Sequence, residues 1–447
     1  CADLPYIIHE KTISSVTQTT ANTYNVVYQV VVQNTGGAQG QYDLSDAPMF
    51  DNDITINSAN YTSTAPGNAG STLAGSGPWV LGNNININAG ATHTYTLTVN
   101  VTLDLRTGTT GDNVYKECGD GTPGVPAPGE GLFNRSLLDV NNDGTPDQTD
   151  EVCGDLPYIT HEKTISSVSQ TTANTYNVVY QVVVRNTGGL MGQYDLSDTP
   201  IFDNDIAINS ASYVSTAPGN AGSTLAGSGP WVLGNNINIA VGAIHTYTLT
   251  VNVTLDLRTG TGGDNIYREC GDGTPGVPAP GEGLFNRSLL DVNNDGTPDE
   301  TDEVCADLPY IIHEKTISSV TQTAANNYNV VYQVVVQNIG GAQGQYDLTD
   351  APMFDNDIAI NNASYASTAP GNAGSALAGI GPWVLGNDIN IPAGTSHTYT
   401  LTVNVTLDLR AGTTGDNIYK ECGDGTPGVP APGEGLFNRS LLDVNND

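Results

Sequence analysis

Positive charge is what this sequence has least of: 13 Lys and Arg stand against 47 Asp and Glu in 447 residues, a formal net charge of -34. Phosphate backbones are held by clustered cations, and basic residues this sparse supply no such stripe, which sets nucleic acid aside as a partner. Charge of either sign is scarce, at 13% of residues, about half the usual share. With 38% hydrophobic residues beside it, this is not the composition of a charged disordered chain. No apolar run approaches the roughly 20 residues that span a bilayer, and no basic, apolar, small-residue signal segment opens the chain. The Gly-x-Ser-x-Gly elbow, the His-Glu-x-x-His helix and phosphate-cradling loops are missing as well, and few Lys remain for charge clamps. These absences predict that the chain is not an enzyme.

What is present is a bias to Thr, Val, Ile and Tyr, which favours strands and predicts an all-β protein. It is arranged in a repeat. Asp3-Leu4-Pro5-Tyr6 returns at Asp155-Leu156-Pro157-Tyr158 and Asp307-Leu308-Pro309-Tyr310, a period of 152 residues with most positions identical. That period is too long for a solenoid turn and suits an autonomous domain. The expected organisation is three beads, 1–152, 153–304 and 305–447, the third stopping nine residues short of a full period. Cys1 recurs as Cys153 and Cys305, so the repeat accounts for it without lipidation.

Within a bead, His93, Tyr95, Leu97, Val99, Val101, Leu103 and Leu105 alternate with Thr and Asn, the pattern of a strand with one dry and one wet face. Tyr24 to Gln33 reads as a second strand, followed by the turn signal Asn34-Thr35-Gly36-Gly37. Shorter strands are expected near 42–46, 53–58, 79–81, 114–118 and 132–140. Seven to nine short strands with Gly-rich turns predict a sandwich of two antiparallel sheets. Trp79, Trp231 and Trp383 are expected as core anchors, with sugar stacking as the alternative. His93 reads as a core imidazole, and Asp43, Asp46, Asp51 and Asp53 as a solvated turn.

Glu10-Lys11-Thr12-Ile13, Tyr28 through Gly36, Tyr42-Asp43-Leu44-Ser45-Asp46, Ala89-Gly90 and Thr92 to Val101 resemble the bacterial cell-surface repeat called domain of unknown function eleven. The resemblance covers nearly all of each repeat. It implies immunoglobulin-like or prealbumin-like sandwiches strung along an extracellular or cell-surface protein, and no reaction.

From Asp139 to Asp150, oxygen side chains stand at positions 1, 3, 5, 9 and 12 around a Gly at 6, as hard cations require. The pattern is similar to the calcium loops of thrombospondin type 3 repeats and dockerins, with Asp150 where an EF-hand has Glu. The candidate calcium ligands are Asp139, Asn141, Asp143, Thr145, Asp147 and Asp150. Their copies are Asp291, Asn293, Asp295, Thr297, Asp299 and Asp302, and the third repeat keeps Asp443, Asn445 and Asp447. The alternative is a hairpin turn at Asn-Asp-Gly.

Cys1, Cys118, Cys153, Cys270, Cys305 and Cys422 fall two per period, which reads as disulfides. Pairing Cys118 with Cys153 and Cys270 with Cys305 gains about 3.8 kcal/mol from loop closure and the longer frame, Cys1 with Cys118, about 4.9, too close to decide. Strand order favours the short frame, which leaves Cys1 and Cys422 to be matched by another copy.

Some surface sandwiches resembling this one join a first-strand Lys to a last-strand Asn with the help of a buried acid. Lys11 and Asn134 both share inward faces here, with Asp43 or Asp46 as the acid. The alternative is a partly buried Lys paired with an acid. Glycosylation sequons stand at Asn60, Asn100, Asn252 and Asn404, among others. The leading functional expectation is a structural subunit of an extracellular fibre or stalk, assembled head to tail from its own copies and stiffened by calcium and disulfides. The runner-up is a calcium-dependent adhesin that presents loops to glycans or other surfaces, for which glycan binding lost on changing Trp79 or Tyr61 would speak.

Overall fold

The computed structural model describes every residue except 1–2, 21, 106–110, 173, 258–261, 293, 295, 411, 413–414 and 445–447. The described residues of its first repeat form nine strands: β1 (Ile7–Thr20), β2 (Thr23–Asn34), β3 (Gly40–Pro48), β4 (Ile54–Ser63), β5 (Gly70–Leu73), β6 (Trp79–Ile87), β7 (Thr92–Leu103), β8 (Asn134–Asp139) and β9 (Gln148–Val152). They form an antiparallel five-stranded sheet, β1-β2-β7-β4-β5, and an antiparallel four-stranded sheet, β6-β3-β8-β9. Both contribute to one core, the arrangement of a β-sandwich.

The alternating sequence of β7 explains its place at the centre of the larger sheet. Tyr95, Leu97, Val99 and Val101 are fully buried, while the Thr residues between them are part-exposed. Val26, Tyr28, Val30 and Val32 of β2 join them from the neighbouring strand. Each side chain of this size contributes about 1.5–3 kcal/mol by leaving water. Tyr28 also donates its hydroxyl to the Leu132 carbonyl at 3.0 Å, which fixes the entry to β8.

The second repeat has the same two sheets, and among the described residues the third pairs a five-stranded sheet with one of three strands, Gly344–Pro352, Trp383–Ile391 and Asn438–Asp443. Two strand expectations fail. Residues 114–118 form no strand, because their amides are held instead by loop carboxylates: Asp51 accepts from the Lys116 N–H at 2.9 Å and Asp53 from that of Asn113 at 3.0 Å. Both aspartates are buried, so the expected solvated turn is an organising centre for the 111–118 loop. The second correction is β9, which occupies the end of the expected calcium loop.

Packing also runs past the limits that the period suggests. Leu156, which opens the second copy in sequence, is 0% exposed inside the first core, and Leu308 lies likewise in the second. Among the described residues no helix is long and apolar enough to cross a membrane.

Candidate functional site

Between the two sheets of each repeat lies a Lys–Asp pair, shut off from water in the first two repeats. Lys11 on β1 reaches Asp46 on β3, and both side chains are 0% exposed. The ring of Tyr28 closes the other side, 4.9 Å from Nζ. Burial pushes the Lys11 amine down and the Asp46 carboxyl up, each opposed by the other's charge, and so favours the uncharged forms of both. Asn134, at the start of β8 and wholly buried, lies against the Asp46 carboxyl and the Tyr28 hydroxyl. Neither atom of its amide completes a hydrogen bond of good geometry, nor does Oδ1 of Asp46. A buried polar group left without a partner costs about 1–3 kcal/mol. The arrangement recurs as Lys163, Asp198, Asn286 and as Lys315, Asp350, Asn438. In the third copy the Lys side chain is 11% exposed.

Asp43, the other expected acid, is not part of this group. It stands one residue out of phase with Leu44 on β3, opposite Asp139 of β8, and accepts from the Asn84 N–H. Period-two geometry puts Asp46 and Asp43 on opposite faces of the strand.

The acidic loop closes on its own backbone. Asp139 accepts from the N–H groups of Asn141, Asn142 and Gly144, Asn141 from Asp143, Asp143 from Thr145, and Asp147 from Val140. Asp150 belongs to β9 and points away, accepting from the Lys11 N–H at 2.6 Å. A calcium ion here would be held by Asp139, Asn141, Asp143 and Asp147 without Asp150. It would have to draw their oxygens off the backbone, since among the described residues no three acidic, His or Cys side chains converge on one point. In the second copy Asp291 and Asp299 keep their contacts to Gly296 and Val292, and Asp302 turns to Lys163 as Asp150 does to Lys11. Asn293, Asp295, Asn445 and Asp447 lie outside the described residues, and Asp443 ends the 438–443 strand.

Asn60 is exposed on β4, whereas Asn100, Asn252 and Asn404 are half-buried and donate their amides to Asn25, Asn177 and Asn329, each at 2.7 Å. Trp79 and Tyr61 are buried, so neither offers a face to a sugar. His93 is buried too, 2.7 Å from the Tyr42 hydroxyl.

The joints between repeats hold the two disulfides of the short frame expected from strand order, together with neighbours that sequence reasoning did not single out. Cys118 and Cys153 are disulfide-bonded with Cα atoms 5.9 Å apart, and Cys270 and Cys305 at 6.0 Å. Beside the first bridge, Asp155 accepts from the Cys118 N–H at 2.7 Å, the Leu156 N–H donates to the Tyr115 hydroxyl at 2.9 Å, and Tyr158 packs on Tyr115. Thr187 donates to Glu117 at 2.8 Å across the same joint. Asp307, Leu308 and Tyr310 repeat these contacts on Cys270 and Tyr267. Only the recurrence of Asp-Leu-Pro-Tyr beside each cysteine hinted at them.

The residues equivalent to those of the joints are exposed in the first and third repeats. Leu4 is 82% and Tyr6 64% exposed, although their copies Leu156 and Tyr158 pack into the preceding repeat. In the third repeat Tyr419 is 39% exposed where Tyr115 is 2%, Cys422 is a free, exposed thiol, and a cavity of about 270 Å³ opens between Val320, Tyr328, Ile358, Leu407, Tyr419 and Leu436. The matching positions of the first repeat, Val16, Tyr24, Ile54, Leu103, Tyr115 and Leu132, belong to or pack against the core cluster that includes Leu156. Cys1 lies outside the described residues.

No family model and no curated protein matches the chain. Solved structures similar to it include the partial N-terminal region of the enterococcal surface protein, at 10% identity and a TM-score of 0.20 over 68% of this chain and 95% of that one. The BSP domain of a biofilm associated protein is similar at 8% identity and a TM-score of 0.20, over 92% and 94%. The exo-chitosanase CsxA of Amycolatopsis orientalis is similar at 9% identity and a TM-score of 0.19, and this chain, 69% of which is covered, spans 28% of that enzyme. Glycoside hydrolases among these neighbours overturn the exclusion of enzymes drawn from missing motifs. Such motifs exclude only the chemistries they serve, and carboxylate pairs that cleave sugars have no fixed spacing in sequence. At these TM-scores the likeness assigns no reaction to the chain.

Proposed function

We propose that the chain is a structural subunit of an extracellular or cell-surface fibre or stalk, in which β-sandwich repeats stack head to tail and each is completed by the first residues of the next. One observation carries this reading. The Leu of Asp-Leu-Pro-Tyr is fully buried in the preceding repeat at both internal joints, and a disulfide closes each joint beside it. A second copy offering Asp3 to Tyr6 to the cavity beside Tyr419 would reproduce the contacts of the internal joints. Two disulfides agree with an oxidising compartment outside the cytosol. Repeats of nearly identical sequence suit a spacing role, since each adds the same length and the same interface.

Assembly is tested on the purified chain with oxidised glutathione, which takes up two electrons as Cys422 of one copy and Cys1 of the next join. A ladder of reducible multimers on a denaturing gel, with filaments in negative stain, is expected. Leu4→Asp and Cys422→Ser are each expected to reduce the ladder at least tenfold. A monodisperse monomer at high protein concentration, with the oxidant present, would sink the proposal.

A further inference from the structure

We propose that each repeat closes an internal amide crosslink between the side chains of a β1 lysine and a β8 asparagine: Lys11 with Asn134, Lys163 with Asn286, and Lys315 with Asn438. This modification is independent of the fibre reading, because it lies wholly within one repeat.

The unreacted side chains make a poor hydrogen-bonding set. Around one buried lysine, Oδ1 of Asp46 and both amide atoms of Asn134 complete no hydrogen bond of good geometry, and the same holds at these three positions in each of the other repeats. Buried polar atoms are nearly always satisfied, and a defect that recurs at equivalent positions in three copies calls for a chemical reason. The carboxyl of Asp46 touches the Lys11 amine on one side and the Asn134 amide on the other. The Tyr28 ring keeps water from the amine. A lysine buried in this way releases its proton more readily and becomes a nucleophile, and an aspartate buried in this way holds one.

The reaction then needs no outside reagent. The uncharged Lys11 nitrogen attacks the Asn134 amide carbon, while Asp46 protonates the amide oxygen and takes up the proton released by the amine. Collapse of the tetrahedral carbon breaks its bond to the original amide nitrogen. That nitrogen receives a proton through Asp46 and leaves as ammonia, and a Lys–Asn amide remains. No electrons are exchanged, and the carboxyl returns to its starting state. Two orphaned atoms are resolved: the amide nitrogen departs, and the new N–H can donate to Asp46. Since β1 and β8 lie in different sheets, the bond would tie the two layers of the sandwich together.

Intact mass spectrometry of the reduced, denatured full chain tests the proposal. The expected mass falls below that of the sequence by three molecules of ammonia, and a branched peptide joins Lys11 to Asn134. Asn134→Ala should reduce the deficit to two, because the other repeats fold and react on their own triads. Asp46→Ala should do the same while leaving the β-type circular dichroism in place. A full sequence mass in a chain with native circular dichroism overturns the crosslink, as does a deficit of three that persists in the Asn134→Ala chain.

Discussion

At the scale of single residues, buried carboxylates do unlike work in this molecule, and hydrogen bonding separates them. Asp46 faces a lysine in a dry interior and is pushed up by burial. Glu130 is held below the usual glutamate range chiefly by the Gly119 N–H, together with those of Gly121 and Ala127, at 2.7 to 3.0 Å. A carboxyl whose pKa is depressed by folding stabilises fully above its unfolded value and loses that contribution as pH falls through the lower folded value. The 118–131 loop is therefore expected to open at pH below about 4, the unfolded carboxylate range, as faster amide exchange in that segment. Glu130→Gln should loosen the loop at neutral pH and flatten the acid response. An unchanged acid profile in that variant would assign the opening to another group. Composition and motif spacing do not reveal this role, because a Glu among Gly and Pro looks like any solvated loop acid.

At the scale of elements, the alternation of Thr with Tyr, Leu and Val in β7 determined both its face and its length, since a one-residue slip would reverse every side chain. Strand β9 was hidden, because Gln148 to Val152 is polar on both faces and pairs at the sheet edge. Its presence takes Asp150 out of the loop and shortens the candidate calcium set. We predict that calcium at millimolar concentration, the range of extracellular modules, raises the thermal midpoint through the 139–147 loop. Asp143→Ala should abolish that rise. If the wild-type midpoint does not move, the loop is a turn closed by its own amides.

For the whole molecule, the joints make stability shared between neighbours. Leu156→Ala is expected to destabilise the first repeat by about 2–5 kcal/mol, the range for a buried Leu emptied to a cavity. Leu4→Ala in the isolated chain should stay within about 0.5 kcal/mol, as exposed positions do. Denaturant unfolding followed by amide exchange in each repeat distinguishes the two. Equal effects would mean that Leu156 is not part of the first core. Copies that each carry a net charge of -34 also repel one another, so head-to-tail association should strengthen with added salt.

The sequence by itself determined the all-β class, the three-fold repetition and the main strands, because side-chain periodicity and repeat period are local properties of the chain. It also placed Lys11 and Asn134 on inward faces. Only the tertiary structure decided that Asp46 rather than Asp43 joins them, that Asp150 serves a strand, and that Leu156 belongs to the repeat before its own. Those outcomes depend on which distant segments pack together, and contacts across 35 to 139 residues leave no spacing in the sequence to read.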